Sequence, residues 1–213
     1  SALLFVANKE SGVEEPHDFN GKKLGIWRTG FEEIPMAFIK KYDLNVEIVP
    51  ITSTINLFLF GGIDIMTVMW YNEYHSILSS GVNKSELVKF FLSDHNLDIP
   101  EDGIYCMRET YRNDPDLVSA FVNASLEGWR YAFNHKEETL KVVMTYMKKA
   151  HQQTNKAHQR WMLNRMEDLY KNKTGKITGK LERTDFNKAC QILLNSDKID
   201  NKPDFSSFNK TRK

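Results

Sequence analysis

The chain has 213 residues, 41% of them apolar, enough to bury one substantial core or two small ones, so disorder is not the default state. Its 29 Lys and Arg nearly cancel its 28 Asp and Glu; no global field draws it to nucleic acid or an anionic membrane, and specificity must come from a local site. No stretch approaches the roughly 20 apolar residues that cross a bilayer, and the first residues carry no basic, apolar and small-residue leader, which leaves the compartment open because mature chains have lost theirs.

Residues 2–7 (Ala-Leu-Leu-Phe-Val-Ala) form a short apolar run. A polar connector over 14–21 follows, with Pro16 and the turn signal Asp18-Phe19-Asn20-Gly21. Lys23 to Trp27 reads as a strand leading into Arg28-Thr29-Gly30, and Ile34, Phe38 and Ile39 place a helix over 31–42, with Pro35 near its start. The alternation repeats. Residues 46–51 are a strand, Thr52-Ser53-Thr54 a helix cap and 55–60 a short helix stopped by Gly61-Gly62. Residues 63–70 are a third strand that runs into Tyr71-Asn72-Glu73 and a helix to about 80, and 87–92 are a fourth. Strands alternating with helices of about ten residues predict an α/β class with parallel pairing through right-handed crossovers and helices on both faces, here an α/β lobe over 16–102.

Residues 103–108 read as a strand returning to lie beside 2–7, so that 1–15 and 103–213 form a second, mainly helical body. Asp114 and Pro115 supply an N-cap and a first helical position, and Leu117, Phe121, Ala124, Leu126, Trp129 and Phe133 an apolar stripe. Further helices are expected at about 136–149, 155–171 and 184–195, with a polar tail beyond. Cys106, in a strand, and Cys190, in a helix, read as two buried, unpaired thiols, since neither sits in a CxxC or Cys/His spacing.

In an open parallel sheet, ligands bind beyond the carboxyl ends of the strands, where loops converge and helix N-termini offer free N–H groups. Those ends carry Trp27-Arg28-Thr29-Gly30, Thr52-Ser53-Thr54 and Trp70-Tyr71-Asn72-Glu73. Two Trp and a Tyr offer flat faces to a planar heteroaromatic ligand, the hydroxyls, Asn72 and Glu73 can read ring nitrogens and amino groups, and Arg28 can take an anion in its fork. The rival reading is that Trp27 and Trp70 merely cap the sheet core. The six His are dispersed, none paired as a metalloprotease helix needs, and no G-x-S-x-G elbow, Walker loop or GxGxxG occurs, so neither a metal, a cofactor nor a catalytic residue is expected.

Three stretches, Asp18-Phe19-Asn20-Gly21-Lys22-Lys23-Leu24-Gly25-Ile26-Trp27, Gly62-Ile63-Asp64-Ile65 and Asn113-Asp114-Pro115-Asp116-Leu117-Val118, followed by Gly128-Trp129-Arg130-Tyr131-Ala132, resemble the NMT1/THI5-like (SsuA/THI5-like) branch of solute-binding proteins. The resemblance implies a periplasmic-binding-protein type II fold that captures a small planar heterocycle, of the thiamine-pyrimidine-precursor kind, for an ABC permease. It implies a location in the periplasm or on the cell surface as a lipoprotein, and hinge crossings near 13–19 and 94–102. Family members usually carry a further βαβα unit before the strand that begins here at Ala2. The second body is therefore expected to be a partial lobe whose open apolar surface is covered by self-association or rearranged helices. A ligand-sensing module and a THI5-like pyrimidine synthase using pyridoxal phosphate are the alternatives; the synthase is associated with a cysteine-rich motif, and this chain has two distant cysteines.

Overall fold

The computed structural model describes residues 2–27, 30–52, 54–100, 102–172 and 174–209, and the chain divides into two compact units. The first comprises Ser1–Ile99 and Arg183–Pro203, and the second Pro100–Glu182 and Asp204–Lys213.

The first unit is built on a five-stranded sheet of β1 (Leu3–Asn8), β2 (Lys23–Trp27), β3 (Glu47–Ile51), β4 (Ile65–Met69) and β5 (Leu87–Phe91), in the order β3-β2-β4-β1-β5. β2 pairs in parallel with both β3 and β4, whereas β1 runs antiparallel to β4 and to β5. Four strands therefore share one direction and a single strand opposes them, so the expected parallel sheet is a mostly parallel one. Residues 2–7, expected in the other body, form that opposed strand. A strand in the middle of a sheet with both faces covered buries consecutive side chains and loses period-two alternation. Leu3 through Ala7 do this, none more than 3% exposed. At the outer edge, β3 carries Pro50, which cannot donate to a ladder and is tolerated where one side of the strand is unpaired.

One face of the sheet is closed by α1 (Glu33–Lys41) through an aromatic cluster. Phe5 meets Phe19 and Phe38 edge-on at 5.5 and 5.1 Å, and Phe19 meets Phe90 at 5.1 Å. The opposite face carries α3 (Glu73–Ser79), whose Tyr74 and Ile77 are fully buried. The short α2 (Asn56–Leu59) leads into β4. Gly25 on β2 allows a close approach there, because a Cβ would lie 2.5 Å from Ile63 Cδ1 and 3.1 Å from Ile51 Cγ2.

The Asp18 to Gly21 turn and the Gly62-Ile63-Asp64 segment both secure the amino ends of the parallel strands. The Asp18 carboxylate accepts the Glu14 and Glu15 N–H groups at 2.9 Å each, bonds that hold its pKa below the ordinary Asp value. Phe19 is fully buried, and Asn20 Oδ1 and the Gly21 N–H bond the Asn45 main chain at 2.7 and 2.8 Å, with Gly21 at φ +74°. The Lys23 N–H donates to Asp64 Oδ2 at 2.8 Å and the Asp64 N–H returns to the Lys23 carbonyl at 3.0 Å. The connector over 13–19 thus lies within the first unit. Helix α8 (Arg183–Asn195), expected in the helical body, also belongs to the first unit: Ile192 joins the sheet core and Lys40 Nζ donates to the Asn195 carbonyl at 2.8 Å.

The second unit holds α4 (Arg108–Asn113), α5 (Pro115–Asn134), α6 (Lys136–Lys149), α7 (Lys156–Tyr170) and the short α9 (Phe205–Phe208). Of residues 103–108, expected as a returning strand, 103–107 form no strand and Arg108 opens α4, and Cys106 is exposed rather than buried. Asp114 caps α5 as expected, accepting the Leu117 N–H at 2.8 Å, with Pro115 at the first helical position. The α5 stripe is only half used. Phe133 packs with Leu140 of α6 and Leu163 of α7, supported by Trp129 and Tyr170, while Leu117 and Phe121 are 57% and 61% exposed. Ion pairs tie α6 to α7: Lys136 to Glu167 at 2.5 Å, and Glu137 to both Arg160 and Lys156. Hydrogen bonds from Arg160 and Lys156 hold the Glu137 carboxyl at about 2.

After β5 a 3-10 turn over Leu92–His95 is fixed to α1: His95 Nδ1 lies 2.7 Å from the Tyr42 hydroxyl, its ring stands edge-on to Phe38 at 4.9 Å, and Lys41 Nζ donates to its carbonyl at 2.6 Å. Burial, then the Lys41 charge, lowers the His95 pKa from 6.5, against a smaller opposing effect of Asp94. Folding therefore excludes a proton that the unfolded chain binds below about pH 6.5, and stability falls from there down to the lowered native value. Urea titrations at pH 7.5, 6.5 and 5.5 are expected to give a shallower loss of stability with acidification for His95→Phe than for the parent; equal slopes would show that His95 does not contribute.

Candidate functional site

The parallel register brings the carboxyl ends of β2, β3 and β4 to one edge of the sheet. Trp27 is opposite Ile51 in the β2–β3 pair, and β2 meets β4 at Leu24↔Ile65 and Gly25↔Met66, so Trp27, Thr52 and the segment after Met69 leave the sheet on the same side. The connections diverge here. β2 passes through α1 to β3 on one flank, and β4 passes through α3 toward β5 on the other, which makes the boundary between β2 and β4 the switch point of the topology. In open α/β sheets the crevice at such a point is the place to which helix N-termini and loop groups converge.

Trp27 lies across that boundary. Its indole Nε1–H donates to the Thr67 carbonyl of β4 at 3.1 Å, so the ring, on β2, is held by its edge to the neighbouring strand and remains half-buried. Among the described residues no aromatic ring stacks on it. The Thr67 side chain, opposite Phe5 in the β1–β4 register, is fully buried with its hydroxyl unpartnered.

Trp70 stands differently. Its N–H continues the ladder to the Ala2 carbonyl at 2.8 Å, and its ring lies 4.5 Å from Tyr74 at 34°, meets Phe91 edge-on at 5.1 Å and has Lys89 Nζ 5.8 Å from its centre. Lys89 reaches the Tyr74 ring at the same distance, 5.8 Å, and burial raises the Tyr74 pKa. Trp70 is therefore packed laterally over the α3 face against the β5 edge.

The Asn72-Glu73 pair forms the turn into α3. Glu73 Oε2 accepts the Met69 N–H at 2.9 Å and Oε1 accepts the Asn72 amide at 2.7 Å. A carboxylate at the start of a helix also meets the positive end of the helix dipole. Tyr71 is half-buried and packs on the sheet core. Thr52 and Thr54 are exposed; Thr54 Oγ1 accepts the Asn56 N–H at 3.1 Å, so the capping role expected for this segment falls to Thr54. Gly30 is exposed at φ +76° and a Cβ there would meet nothing within 4 Å, so its conformation rather than crowding selects glycine. Arg28, Thr29 and Ser53 lie outside the described residues. The residues that sequence reasoning missed are Thr67, Tyr74, Lys89 and Phe91, which touch Trp27 or Trp70 from other strands and helices. Tyr74 carried a local signal, four residues beyond Trp70, whereas Thr67 needs the β2–β4 pairing and Lys89 and Phe91 the placement of β1 between β4 and β5.

A family profile described as NMT1/THI5 like matches residues 1–139. The chain belongs to the NMT1/THI5-like family. No curated protein matches. Among solved structures, this family member is similar to the periplasmic aliphatic sulphonate binding protein SsuA from Escherichia coli (TM-score 0.67, 11% identity, 94% of this chain and 62% of that one). It is also similar to a putative periplasmic sulfonate-binding protein SsuA of an ABC transporter from Methylobacillus flagellatus KT (TM-score 0.61, 16% identity, 95% and 61%). The desulfurization enzyme DSZB is a third likeness (TM-score 0.54, 10% identity, 98% and 73%). At these identities the likeness establishes the fold, that of the type II periplasmic binding proteins. The chain spans a little over three fifths of the length of the two SsuA structures.

The turn geometry makes a direct prediction. Glu73→Ala removes two acceptors that serve the Met69 N–H and the Asn72 amide, and is expected to cost about 1.5–3 kcal/mol in urea unfolding. Unchanged stability would show that the two bonds contribute nothing net to the native state.

Proposed function

We propose that this NMT1/THI5-like chain captures a small planar heteroaromatic solute at the carboxyl edge of β2, β3 and β4, and delivers it to an ABC-type permease outside the cytoplasm. The observation that carries the reading is the half-buried Trp27 indole anchored across the β2–β4 switch point. Supporting it are the exposed Thr52 and Thr54 on the adjoining strand end and the family membership. The SsuA structures are named as sulfonate-binding proteins, so the ligand class is the part to test first. The fold does not by itself separate capture from catalysis, as the DSZB likeness illustrates. Capture is favoured because the polar groups described at this edge are hydroxyls and an amide, while the Glu73 carboxylate beside them is bonded to its own turn.

Calorimetry and thermal unfolding with 4-amino-5-hydroxymethyl-2-methylpyrimidine, thiamine, riboflavin and an aliphatic sulfonate test this. A ligand at about 100 times its Kd stabilises the native state by about 2.7 kcal/mol. Saturable binding of at least one heterocycle is expected, and binding of the sulfonate alone would replace the heteroaromatic reading with an aliphatic one.

A second reading concerns association between copies. In the second unit Leu117, Phe121, Val142 and Tyr146 are each about half exposed or more, a large share of apolar surface for a body whose buried core is Phe133, Leu140 and Leu163. We propose that this surface mediates self-association; light scattering is expected to show a concentration-dependent mass that Phe121→Glu returns to the monomer value, and a monomer at high concentration would remove the proposal.

A further inference from the structure

Two tryptophans stand at the same edge of the sheet, and their surroundings differ in kind. Trp70 has Tyr74 4.5 Å away and tilted by 34°, Phe91 edge-on to it at 5.1 Å and Lys89 above it. A ligand ring could replace none of these without opening the contact between α3 and β5, because Tyr74 is fully buried. Trp27 is fixed the other way: a single bond from its edge, Nε1–H to the Thr67 carbonyl, sets the orientation of the ring, and no aromatic ring among the described residues lies on its face.

We infer that Trp27, and not Trp70, is the stacking platform of the site, and that it selects for flat, electron-poor heteroaromatic rings by face-to-face contact. The inference rests on the functional reading above and sharpens it. The indole N–H is already committed to Thr67, so this residue offers a ligand no hydrogen bond. What it offers is an electron-rich face whose orientation is set before binding, and preset orientation reduces the ordering cost of association. Discrimination at this residue is therefore by ring flatness and electron demand, and hydrogen-bond specificity falls to other groups at the edge. Trp70 with Tyr74, Phe91 and Lys89 is the buttress that holds α3 against β5, and it positions the β4 exit without touching the ligand.

The test uses the full chain and four proteins: the parent, Trp27→Phe, Trp27→Leu and Trp70→Phe. N-Methylnicotinamide, a flat electron-poor ring that quenches indole on stacking, probes the open face without any natural ligand. Thiamine and riboflavin are titrated in parallel by calorimetry. The quenchable fluorescence is expected to drop in both Trp27 variants and to be retained in Trp70→Phe. Affinity for the heterocycle that binds is expected to weaken at least tenfold in Trp27→Leu, and to stay within about threefold in Trp27→Phe, which keeps a flat ring, and in Trp70→Phe. Circular dichroism and the unfolding midpoint identify any variant that loses the fold; Trp27→Phe, the least disruptive change, carries the quenching comparison by itself. Binding that survives Trp27→Leu, or is lost in a folded Trp70→Phe, overturns the inference while leaving the site reading in place. Quenching that follows Trp70 overturns it without any ligand. If the parent binds neither heterocycle yet N-methylnicotinamide quenches through Trp27, the platform stands and the solute reading falls.

Discussion

β1 is the strand through which β4 and β5 are joined. It exchanges main-chain hydrogen bonds with both, Phe5 meeting Thr67 on one side and Phe90 on the other, and it buries every side chain from Leu3 to Ala7. Buried backbone groups must be paired, and a strand buried on both faces meets this requirement by lying between two other strands. Its antiparallel direction leaves the other four strands pointing the same way. Their carboxyl ends then share an edge, where Phe91 and Lys89 of β5 reach Trp70 at the exit of β4 although β1 lies between the two strands.

The two ends of the sheet are specialised. At the amino ends of the parallel strands, Asp18, Asn20 and Asp64 direct their oxygens at main-chain N–H groups, and Phe19 anchors the turn in the core. These residues belong to the stretches that carry the family resemblance, and the bonds they make are to the main chain. Each satisfies main-chain donors that a strand start would otherwise leave to water. At the carboxyl ends the pattern reverses. Trp27 takes the Thr67 carbonyl with a side-chain donor, and Glu73 takes the Met69 N–H with a side-chain acceptor. Here too the strand ends are completed by side chains, and the half-buried Trp27 ring is the part of them that the proposed solute would use.

Much of the first unit was legible in the sequence because its signals are local. The glycine stops at Gly61 and Gly81 and the alternation of strand and helix lengths each depend on residues close in the chain, as does the cap at Asp114 in the second unit. The placement of β1 and of α8 was not legible. A run of apolar residues fits any doubly buried position, and nothing near residues 2–7 indicates that their partners lie about 60 and 85 residues away. The same limit applies to Trp70. Its position after a strand suggested a ligand face, and only the register of β5 reveals that Phe91 and Lys89 meet it. Cys106 and the segment around it read as a buried strand because Ile104, Tyr105 and Met107 are apolar or aromatic, yet all three are more than half exposed.

Family and fold narrow the function without deciding it. The same backbone arrangement serves proteins named for sulfonate binding and an enzyme named for desulfurization, so the chemistry has to be carried by a few side chains at the strand ends. Catalysis needs a group held in reach of a reacting atom with its proton or lone pair uncommitted. The Glu73 carboxylate near the switch point has both oxygens engaged by its own turn, whereas the half-buried Trp27 indole is held through its Nε1–H and has no aromatic ring on it among the described residues. On the proposed reading, a carboxylate committed to its own turn beside an indole with no aromatic partner among the described residues suits holding a flat solute in place rather than transforming it.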